Sequence, residues 1–334
     1  MTTYDISIIG AGPIGIFSVF QAGMLGLKTC IIDSLNFMGG QCSALYPEKP
    51  IYDIAGFSSV TGQSLIEHLS KQADVFKSKK YLNQKCNEII NKSSYWEIVT
   101  EKNVIKTKSI FIAIGAGNFK PRKPPLKNIK EFENKSVYYN IQNQQIFKNK
   151  IVTIAGGGNS ALDWAIILAE NIARKVYIIH RRNEFKATPS TIEKIKKLSK
   201  GNNLKLITSH QLYKITGKDG ILKDITVIDL NKKTKTIPSN YLLAFFGISM
   251  DIDYINKWNL NVQDKCIEVN PASMETNLKG IYAIGDICNY PGKLKLILTG
   301  FAESTRACYS AYNYINPKKS LHFEHSTTKG IPGK

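Results

Sequence analysis

The stretch Gly10-Ala11-Gly12-Pro13-Ile14-Gly15 decides the fold of this chain. It follows a short apolar run, residues 4–9, and it precedes a long uncharged segment, which is the strand–loop–helix order of a dinucleotide-binding unit. In such a loop the first glycine permits a tight turn, the second lets the backbone approach a pyrophosphate, and the third lets helix and strand pack closely. Gly10, Gly12 and Gly15 are therefore predicted to cradle nucleotide phosphates at a helix N-terminus.

A second apolar strand, residues 28–32, follows at the expected distance and ends at Asp33. A carboxylate there can accept hydrogen bonds from ribose hydroxyls, and it would repel a 2′-phosphate. The uncharged residues 6–27 also approach the ~20 residues that a bilayer span needs. Asp5 precedes them and no positive segment does, so we expect neither a membrane anchor nor a signal peptide.

A second glycine loop, Gly156-Gly157-Gly158-Asn159-Ser160-Ala161, repeats this arrangement between a predicted strand and a predicted helix. Its second strand, residues 175–179, ends in His180-Arg181-Arg182 instead of an acid. The chain has only five arginines, and guanidinium groups suit phosphates because they bind them through two parallel hydrogen bonds. The basic ending therefore predicts the 2′-phosphate of NADPH. The predicted NADPH-binding residues are Gly156, Gly158, Asn159, Ser160, Arg181, Arg182 and Lys186.

Composition leaves several partners open. The net charge of +19 could steer an acidic partner, or it could reflect a chain rich in Lys, Asn and Ile. We expect no nucleic acid, because the lysines are spread along the chain and no known nucleic-acid module is present. The cysteines form no CxxC pair and are predicted to be buried apolar residues, without a metal site, in a cytoplasmic protein. They are Cys30, Cys42, Cys86, Cys266, Cys288 and Cys308.

The domain order follows from a proline-rich linker at residues 119–125 and from the segment TNLKGIYAIGD at residues 276–286, which returns the chain to the first unit. The predicted fold is α/β, with two Rossmann-like dinucleotide-binding domains, one inserted in the other. We assign 1–118 and 249–334 to the first domain, with a C-terminal extension at 315–334, and 119–248 to the inserted NADPH domain.

TNLKGIYAIGD is predicted to form an apolar strand that ends at Gly285-Asp286. Asp286 could then bind a ribityl hydroxyl of a flavin, and a helix starting near Thr299-Gly300 would point its positive end at the flavin ring. A surface Gly-Asp turn would also explain Asp286. We expect Glu303 and Arg306 on this last helix to form a local pair. On the second-domain helix, Trp164 should pack and Asp163 should place charge at the helix start.

The motifs GAGPIG, GGQCSALYPEK, AIGAGNFKP, GGGNSALDWA, HRRNEFKA and AIGD resemble those of the flavoproteins with two dinucleotide-binding domains, in their thioredoxin-reductase-like branch. Thioredoxin reductases carry a CxxC just before the second glycine loop, whereas residues 137–144 contain no cysteine. Without a dithiol, electrons cannot pass to thioredoxin through a disulfide. Residues 44–49 and the tail at 323–328 instead resemble the thioredoxin-reductase-like ferredoxin–NADP⁺ reductases.

This resemblance implies FAD and NADPH as cofactors, an acidic iron–sulfur ferredoxin as partner, and a homodimer. It implies hydride transfer from NADPH to N5 of FAD, then single-electron steps to ferredoxin, with no catalytic side-chain chemistry. Tyr46 should stack on one flavin face and His325 on the other. The implied FAD-binding residues are Gly10, Gly12, Gly15, Asp33, Gln41, Tyr46, Cys86, Phe119, Asp286 and Thr327.

Two alternatives stay open at this point. One is an NADPH-dependent flavin reductase of another acceptor, such as a thioredoxin-like disulfide, a quinone or oxygen. The other is a non-enzymatic nucleotide-binding protein, which would lack a reducible flavin.

Overall fold

The computed structural model describes residues 3–319, 321 and 325–332, with the backbone alone at 118–120, 248–251, 326 and 329. The helices are α1 (Pro13–Met24), α2 (Gly40–Leu45), α3 (Gly62–Ala73), α4 (Ile129–Phe132), α5 (Asn159–Asn171), α6 (Pro189–Ser199), α7 (Ile297–Ile315) and α8 (Ser326–Lys329). Short 3₁₀ turns cover Asp74–Phe76, Gln144–Phe147, Asp253–Trp258 and Gly285–Ile287.

The strands are β1 (Thr3–Ile9), β2 (Thr29–Ile32), β3 (Pro50–Ile51), β4 (Val60–Thr61), β5 (Lys79–Tyr81), β6 (Cys86–Asn91), β7 (Trp96–Thr100), β8 (Val104–Ile112), β9 (Asn118–Pro121), β10 (Val137–Tyr138), β11 (Ile151–Ala155), β12 (Lys175–His180), β13 (Leu204–Thr208), β14 (His210–Lys218), β15 (Ile221–Asp229), β16 (Thr234–Pro238), β17 (Tyr241–Ala244), β18 (Ile248–Asp251), β19 (Val262–Gln263), β20 (Cys266–Glu268), β21 (Ile281–Ala283) and β22 (Cys288–Asn289).

The chain divides into two compact units. The first combines Met1–Phe119 with Met250–Lys334, and the second is Lys120–Ser249. The second unit is thus an insertion in the first. Where the chain passes between units, β9 pairs with β18, and the amide of Arg122 donates to the carbonyl of Gly247 at 3.0 Å. The two crossings therefore run side by side.

The first unit is built on a seven-stranded sheet in the order β5-β2-β1-β8-β7-β6, with β21 also paired to β8. Strands β5, β2, β1, β8 and β21 are mutually parallel. Strand β7 pairs antiparallel with β8, and β6 pairs antiparallel with β7. Helix α1 packs on β1, and five of the seven residues of β1 are buried, as expected for a parallel strand with both faces covered. The carboxyl ends of β1, β2, β8 and β21 consequently share one edge of the sheet.

The second unit has a parallel five-stranded sheet in the order β10-β17-β11-β12-β13. Helix α5 packs on β11 and β12 through fully or nearly fully buried side chains that include Leu162, Trp164 and Leu168. A separate antiparallel sheet, β14-β15-β16, completes the unit. The predicted α/β class with two Rossmann-like units is confirmed.

Two other sequence predictions can be compared with the structure. All six cysteines are buried and none is in a disulfide, which confirms their interpretation as core residues. The uncharged segment after Asp5 forms β1 and the twelve-residue α1. Within residues 3–319, 321 and 325–332, no helix is both long and apolar enough to span a bilayer.

Candidate functional site: two glycine loops with opposite charge

The first glycine loop is packed so closely that two of its three fingerprint glycines cannot carry a side chain. Gly10 has φ +110°, and a Cβ on it would lie under 3.0 Å from the carbonyl of Ala113. A Cβ on Gly15 would come under 3.0 Å from the carbonyl of Gly10. A Cβ on Gly12, by contrast, would meet no atom within 4 Å. The backbone at Gly12 therefore borders open space, which fits the close approach of a pyrophosphate.

Helix α1 begins directly after this loop. Gly12 is its N-cap residue, no side chain accepts a hydrogen bond from its first amides, and no acidic residue occupies its first turn. Since the first N–H groups of a helix lack partners within the helix, this end offers donors and a partial positive charge to an anion. The local structure thus suits the phosphates of a dinucleotide.

Asp33 lies where the sequence predicts an acid, directly after β2. Its carboxylate accepts hydrogen bonds from the amide of Ala11 at 2.6 Å and from the amide of Leu35 at 2.8 Å. Burial raises the pKa of Asp33, and these backbone amides oppose the rise. An ionised carboxylate can accept about four hydrogen bonds, so capacity remains for a ribose hydroxyl.

Helix α2 brings Gln41 and Tyr46 to the same edge of the sheet. The amide of Gly39 donates to the carbonyl of Ala11 at 2.7 Å, so the segment entering α2 is fixed to the glycine loop. Gln41 Nε2 lies 3.5 Å from the Cβ position of Gly115, which follows β8. The hydroxyl of Tyr46, at the end of α2, lies 3.5 Å from Cys42 Sγ.

Asp286 belongs to this cluster. Strand β21 ends at Ala283, and Gly285, with φ +77°, starts the 3₁₀ turn that carries Asp286. Burial raises the pKa of Tyr46, and the charge of nearby Asp286 adds to that rise. Asp286 is partly buried, and its role toward a flavin stays a prediction.

Helix α7 starts earlier than the sequence predicts, at Ile297 instead of near Thr299-Gly300. Gly300 lies within the helix, where a Cβ would come under 3.0 Å from the side chain of Ile14 on α1. Close helix packing explains this glycine. The hydroxyls of Ser18 and Ser304 meet at 2.7 Å in the same buried contact between α1 and α7.

The remaining residues assigned to FAD lie in different settings. Cys86 is buried in β6, with its thiol 3.8 Å from the carbonyl of Glu88. His325 and Thr327 are exposed, at and just after the start of α8. The side chain of Phe119 lies outside the described part of the chain. The roles of these four residues toward FAD stay predictions.

The second glycine loop is equally close-packed. A Cβ on Gly156 would lie under 3.0 Å from the carbonyl of Phe245, whereas one on Gly158 would meet only the carbonyl of Lys186, at 3.9 Å. Gly158 caps α5 without a side-chain hydrogen bond to the first amides, and Ser160 in the first turn is exposed. Asn159 Oδ1 accepts from the amide of Thr188 at 3.1 Å, which ties the loop to the segment before α6.

Three basic side chains lie at or near this loop, and their positive charge indicates a binding site for a phosphate. Arg181 and Arg182 directly follow β12 and are both exposed. Lys186 is exposed as well, and its backbone is paired with the loop because its amide donates to the carbonyl of Gly157 at 2.7 Å. The structure therefore brings Lys186 to the glycine loop, as the sequence predicts. An acid, Asp33, follows the second strand of the first unit, whereas Arg181 and Arg182 follow the corresponding strand of the second unit.

His180 is a residue whose role sequence reasoning missed. Its ring lies so close to Gly157 that a Cβ there would come under 3.0 Å from it, and it stacks on Phe185 with ring centroids 5.3 Å apart. Nε2 lies 3.1 Å from the carbonyl of Glu184. The ring of His180 thus packs against the glycine loop at Gly157. The signal for this role is the position of His180 in the HRR motif, at the end of the strand that follows the glycine loop and its helix.

We expect His180 to make the stability of the protein pH-dependent. Burial lowers the pKa of His180, and the charges of Arg181 and Arg182 lower it further. The folded state therefore binds this proton more weakly than the unfolded state, so stability is lost as the pH falls through about 6.5. In H180Q the free energy of unfolding should fall less between about pH 7.5 and about pH 5.5 than in the unsubstituted protein. Equal slopes in chemical denaturation would contradict this.

Two further expectations were wrong. Glu303 does not pair with Arg306: it forms an ion pair with Lys293, and the guanidinium of Arg306 donates to the carbonyl of Pro271 and lies over the ring of Tyr290. Spacing along a helix predicted the local pair, but the two side chains find partners on neighbouring loops. On α5, Trp164 is buried as expected, whereas Asp163 lies beyond the first turn and does not place charge at the helix start.

Two glycine loops, each between a parallel strand and a helix, one followed by an acid and one by arginines, define a protein class that binds two different dinucleotides on one polypeptide. Such proteins are oxidoreductases in which a nicotinamide nucleotide exchanges electrons with a flavin. The chain belongs to the pyridine nucleotide-disulphide oxidoreductase family, because the sequence model of that family matches residues 4–304.

Relatives cover the whole chain. The ferredoxin–NADP reductase of Rickettsia felis is 48% identical over 328 residues, which cover 98% of each protein. That of Rickettsia canadensis is 47% identical and covers 100% of this chain and 99% of its own. Among solved structures, the thioredoxin reductase of Lactococcus lactis matches with a TM-score of 0.75 over 94% of this chain and 99% of its own, at 22% identity. At that identity the likeness shows the fold alone.

Proposed function

We propose that the protein is an FAD-dependent reductase that transfers electrons between NADPH and a ferredoxin. In balanced form, two reduced ferredoxins, NADP⁺ and a proton give two oxidised ferredoxins and NADPH. The observation that carries this proposal is the opposite charge of the two glycine loops, Asp33 after the first and Arg181 and Arg182 after the second. Full-length identity of about one half to proteins named ferredoxin–NADP reductase supports the choice of acceptor.

The first unit fits FAD. Gly12 leaves open space beside the first amides of α1, where the pyrophosphate would lie. Asp33 would accept from a ribose hydroxyl, and Asp286 would accept from the ribityl chain. Tyr46, directly after α2, supplies the aromatic ring that is predicted to stack on the flavin. When bound, FAD supplies the chemistry that connects a two-electron donor with a one-electron acceptor. The protein's own contribution is to orient the ring system and hold its polar edge.

The second unit fits NADPH. The exposed first turn of α5 receives the pyrophosphate at Gly158 and Ser160. Arg181, Arg182 and Lys186 supply the positive charge that a 2′-phosphate requires. Because this phosphate distinguishes NADPH from NADH, these three side chains would set cofactor preference.

The cysteines argue against a disulfide acceptor. Thioredoxin reduction needs an accessible dithiol, whereas the sequence has no CxxC and all six thiols are buried. Replacing all six cysteines with serine should therefore leave intact both the reduction of FAD by NADPH and the electron transfer from reduced FAD to the acceptor. A loss of electron transfer confined to the acceptor step would revive the disulfide alternative.

NADPH-driven reduction of cytochrome c, with and without added ferredoxin, tests the proposed function directly. We expect strong dependence on ferredoxin, because relatives that match this chain over nearly its whole length are named ferredoxin–NADP reductases. Flavin reduction by NADPH without ferredoxin dependence would redirect the search to a quinone or oxygen. A purified protein that binds no flavin would exclude the enzyme altogether.

We expect the ferredoxin reaction to be sensitive to salt. The chain carries a net charge of +19, and opposite charges accelerate encounter at low ionic strength. At subsaturating ferredoxin, turnover should fall about tenfold between ~0.05 M and ~0.5 M salt, as screening shortens the range of the field. Reduction of a neutral quinone provides the control and should change little. If turnover with ferredoxin did not change with salt concentration, the net charge of the chain would reflect its lysine-rich composition and would not steer ferredoxin.

The proposal also includes the oligomeric state and the cellular location of the protein. The resemblance to ferredoxin–NADP⁺ reductases favours a homodimer, and the reduced, buried cysteines favour the cytoplasm. Sedimentation at several protein concentrations would test the dimer. Fractionation of cells would test the location.

A further inference from the structure

Glu303 is a fully buried carboxylate that the proposed cofactor contacts leave unexplained. It lies on the second turn of α7 and has no solvent exposure. Its carboxylate accepts hydrogen bonds from the amide of Gly285 at 2.7 Å and from the hydroxyl of Tyr290 at 2.7 Å. It also receives the ammonium of Lys293, itself only 4% exposed, and the sulfur of Cys288 lies 3.5 Å from it.

These contacts converge on the turn that carries Asp286. Glu303 holds the amide of Gly285, the thiol of Cys288 donates to the carbonyl of Gly285 at 3.1 Å, and the thiol of Cys266 lies 3.7 Å from the carbonyl of Asp286. The turn is therefore fixed through its backbone, and no hydrogen bond from the described residues holds the carboxylate of Asp286. Glu303 connects this turn to α7 by accepting from the amide of Gly285.

Stability alone does not account for such a pair. Two charges lose most of their hydration when they are buried, and their attraction often does no more than offset that loss. Apolar side chains of similar volume would hold α7 against the turn at least as well. What an apolar residue cannot supply is an acceptor for the amide of Gly285. The ion pair of Glu303 and Lys293 also places a negative and a positive charge next to the Gly285–Asp286 turn.

We propose that Glu303 is a positioning residue for the flavin, which fixes the Gly285–Asp286 turn and, with Lys293, balances the charge behind it. This inference rests on the proposed function only in that the first unit binds FAD. It makes no use of ferredoxin or NADPH. Its tests accordingly use FAD affinity and the midpoint potential of the bound flavin.

Opposite shifts in potential are the signature of this role. In E303Q the amide oxygen still accepts from Gly285, but the charge of Lys293 is no longer balanced. The flavin potential should become more positive, since nearby positive charge favours the reduced, anionic form. In K293M the unbalanced carboxylate should make the potential more negative. The double variant E303Q/K293M removes both charges and should return close to the unsubstituted value.

FAD affinity tests the positioning itself. In E303A the amide of Gly285 loses its acceptor inside the protein, so the dissociation constant of FAD from the apoprotein should rise about tenfold. E303Q should stay within about threefold, since it keeps that acceptor. If E303A does not fold, Y290F provides a milder change, because it removes one donor to Glu303 and should weaken FAD binding by a smaller factor.

A matched control lies at the other end of β21. Glu275 accepts from the amide of Gly280 at 3.0 Å and pairs with Lys279 at 2.9 Å, so its set of partners resembles that of Glu303. E275Q should change neither the potential nor the affinity for FAD. Shifts of the same sign in E303Q and K293M, or unchanged values in folded variants, would overturn the inference. A protein without FAD before any substitution would instead refute the proposed function.

Discussion

Replacing Gly15 with alanine is expected to leave the purified protein without FAD and without the yellow colour of a flavin. The added Cβ would come under 3.0 Å from the carbonyl of Gly10, a backbone atom that cannot move aside without opening the loop. Overpacking of this kind costs about 1–3 kcal/mol or more, and here it distorts the phosphate site itself. Flavin absorbance after purification, and thermal unfolding with and without added FAD, would measure the effect.

Gly12→Ala is the informative companion. A Cβ at this position would meet no atom within 4 Å, and its backbone, with φ −72° and ψ −179°, suits any residue. We expect the apoprotein to keep its melting temperature while its affinity for FAD falls about tenfold or more, because the methyl group occupies the space proposed for the pyrophosphate. Full FAD affinity in Gly12→Ala would show that the phosphates bind elsewhere.

The double substitution of Arg181 and Arg182 by alanine is expected to remove the preference for NADPH over NADH. Hydrogen bonds to charged groups contribute about 1.5–3 kcal/mol each, so loss of both guanidinium groups should raise the KM for NADPH about 100-fold. The KM for NADH should change little, since NADH has no 2′-phosphate. Stopped-flow reduction of the flavin by each nucleotide would measure the two effects separately from the acceptor step.

Arg174→Ala is the matched control for this experiment. Arg174 is an exposed arginine in the same unit, between α5 and β12, and its loss removes a positive charge away from the glycine loop. It should change both Michaelis constants by less than about twofold, as expected for a surface charge. An equal loss of NADPH affinity in Arg174→Ala would indicate that total charge, not the HRR segment, sets the preference.

The parts of the site that were predictable from sequence are those in which spacing and chemistry are local. Each glycine loop lies between a strand and a helix, so the roles of Gly10 and Gly156 follow from a few neighbouring residues. Asp33 was predictable for the same reason, because it ends the next strand. In each case the structure places the residue at the carboxyl end of a strand that pairs in parallel with its neighbours.

The parts that were missed depend on contacts between distant segments. Glu303 finds Lys293 and Gly285 on a loop that helical spacing does not describe. The sheet formed by β14, β15 and β16 was not predicted, because register shifts at Leu212/Lys214 and Thr216/Gly217 interrupt the alternation that identifies a strand. Long-range partners and bulges leave little trace in a single sequence.

The burial of every cysteine has a practical consequence for the durability of the protein. Burial raises the pKa of Cys30, Cys86 and Cys288 to about 12, so almost none of these thiols is ionised at neutral pH. Oxidants and alkylating agents attack the thiolate and need access to it. The folded protein should therefore withstand peroxide and maleimide, and it can be handled without a reducing agent. A redox protein that generates reduced carriers beside oxygen is in this way protected from one common route of self-inactivation.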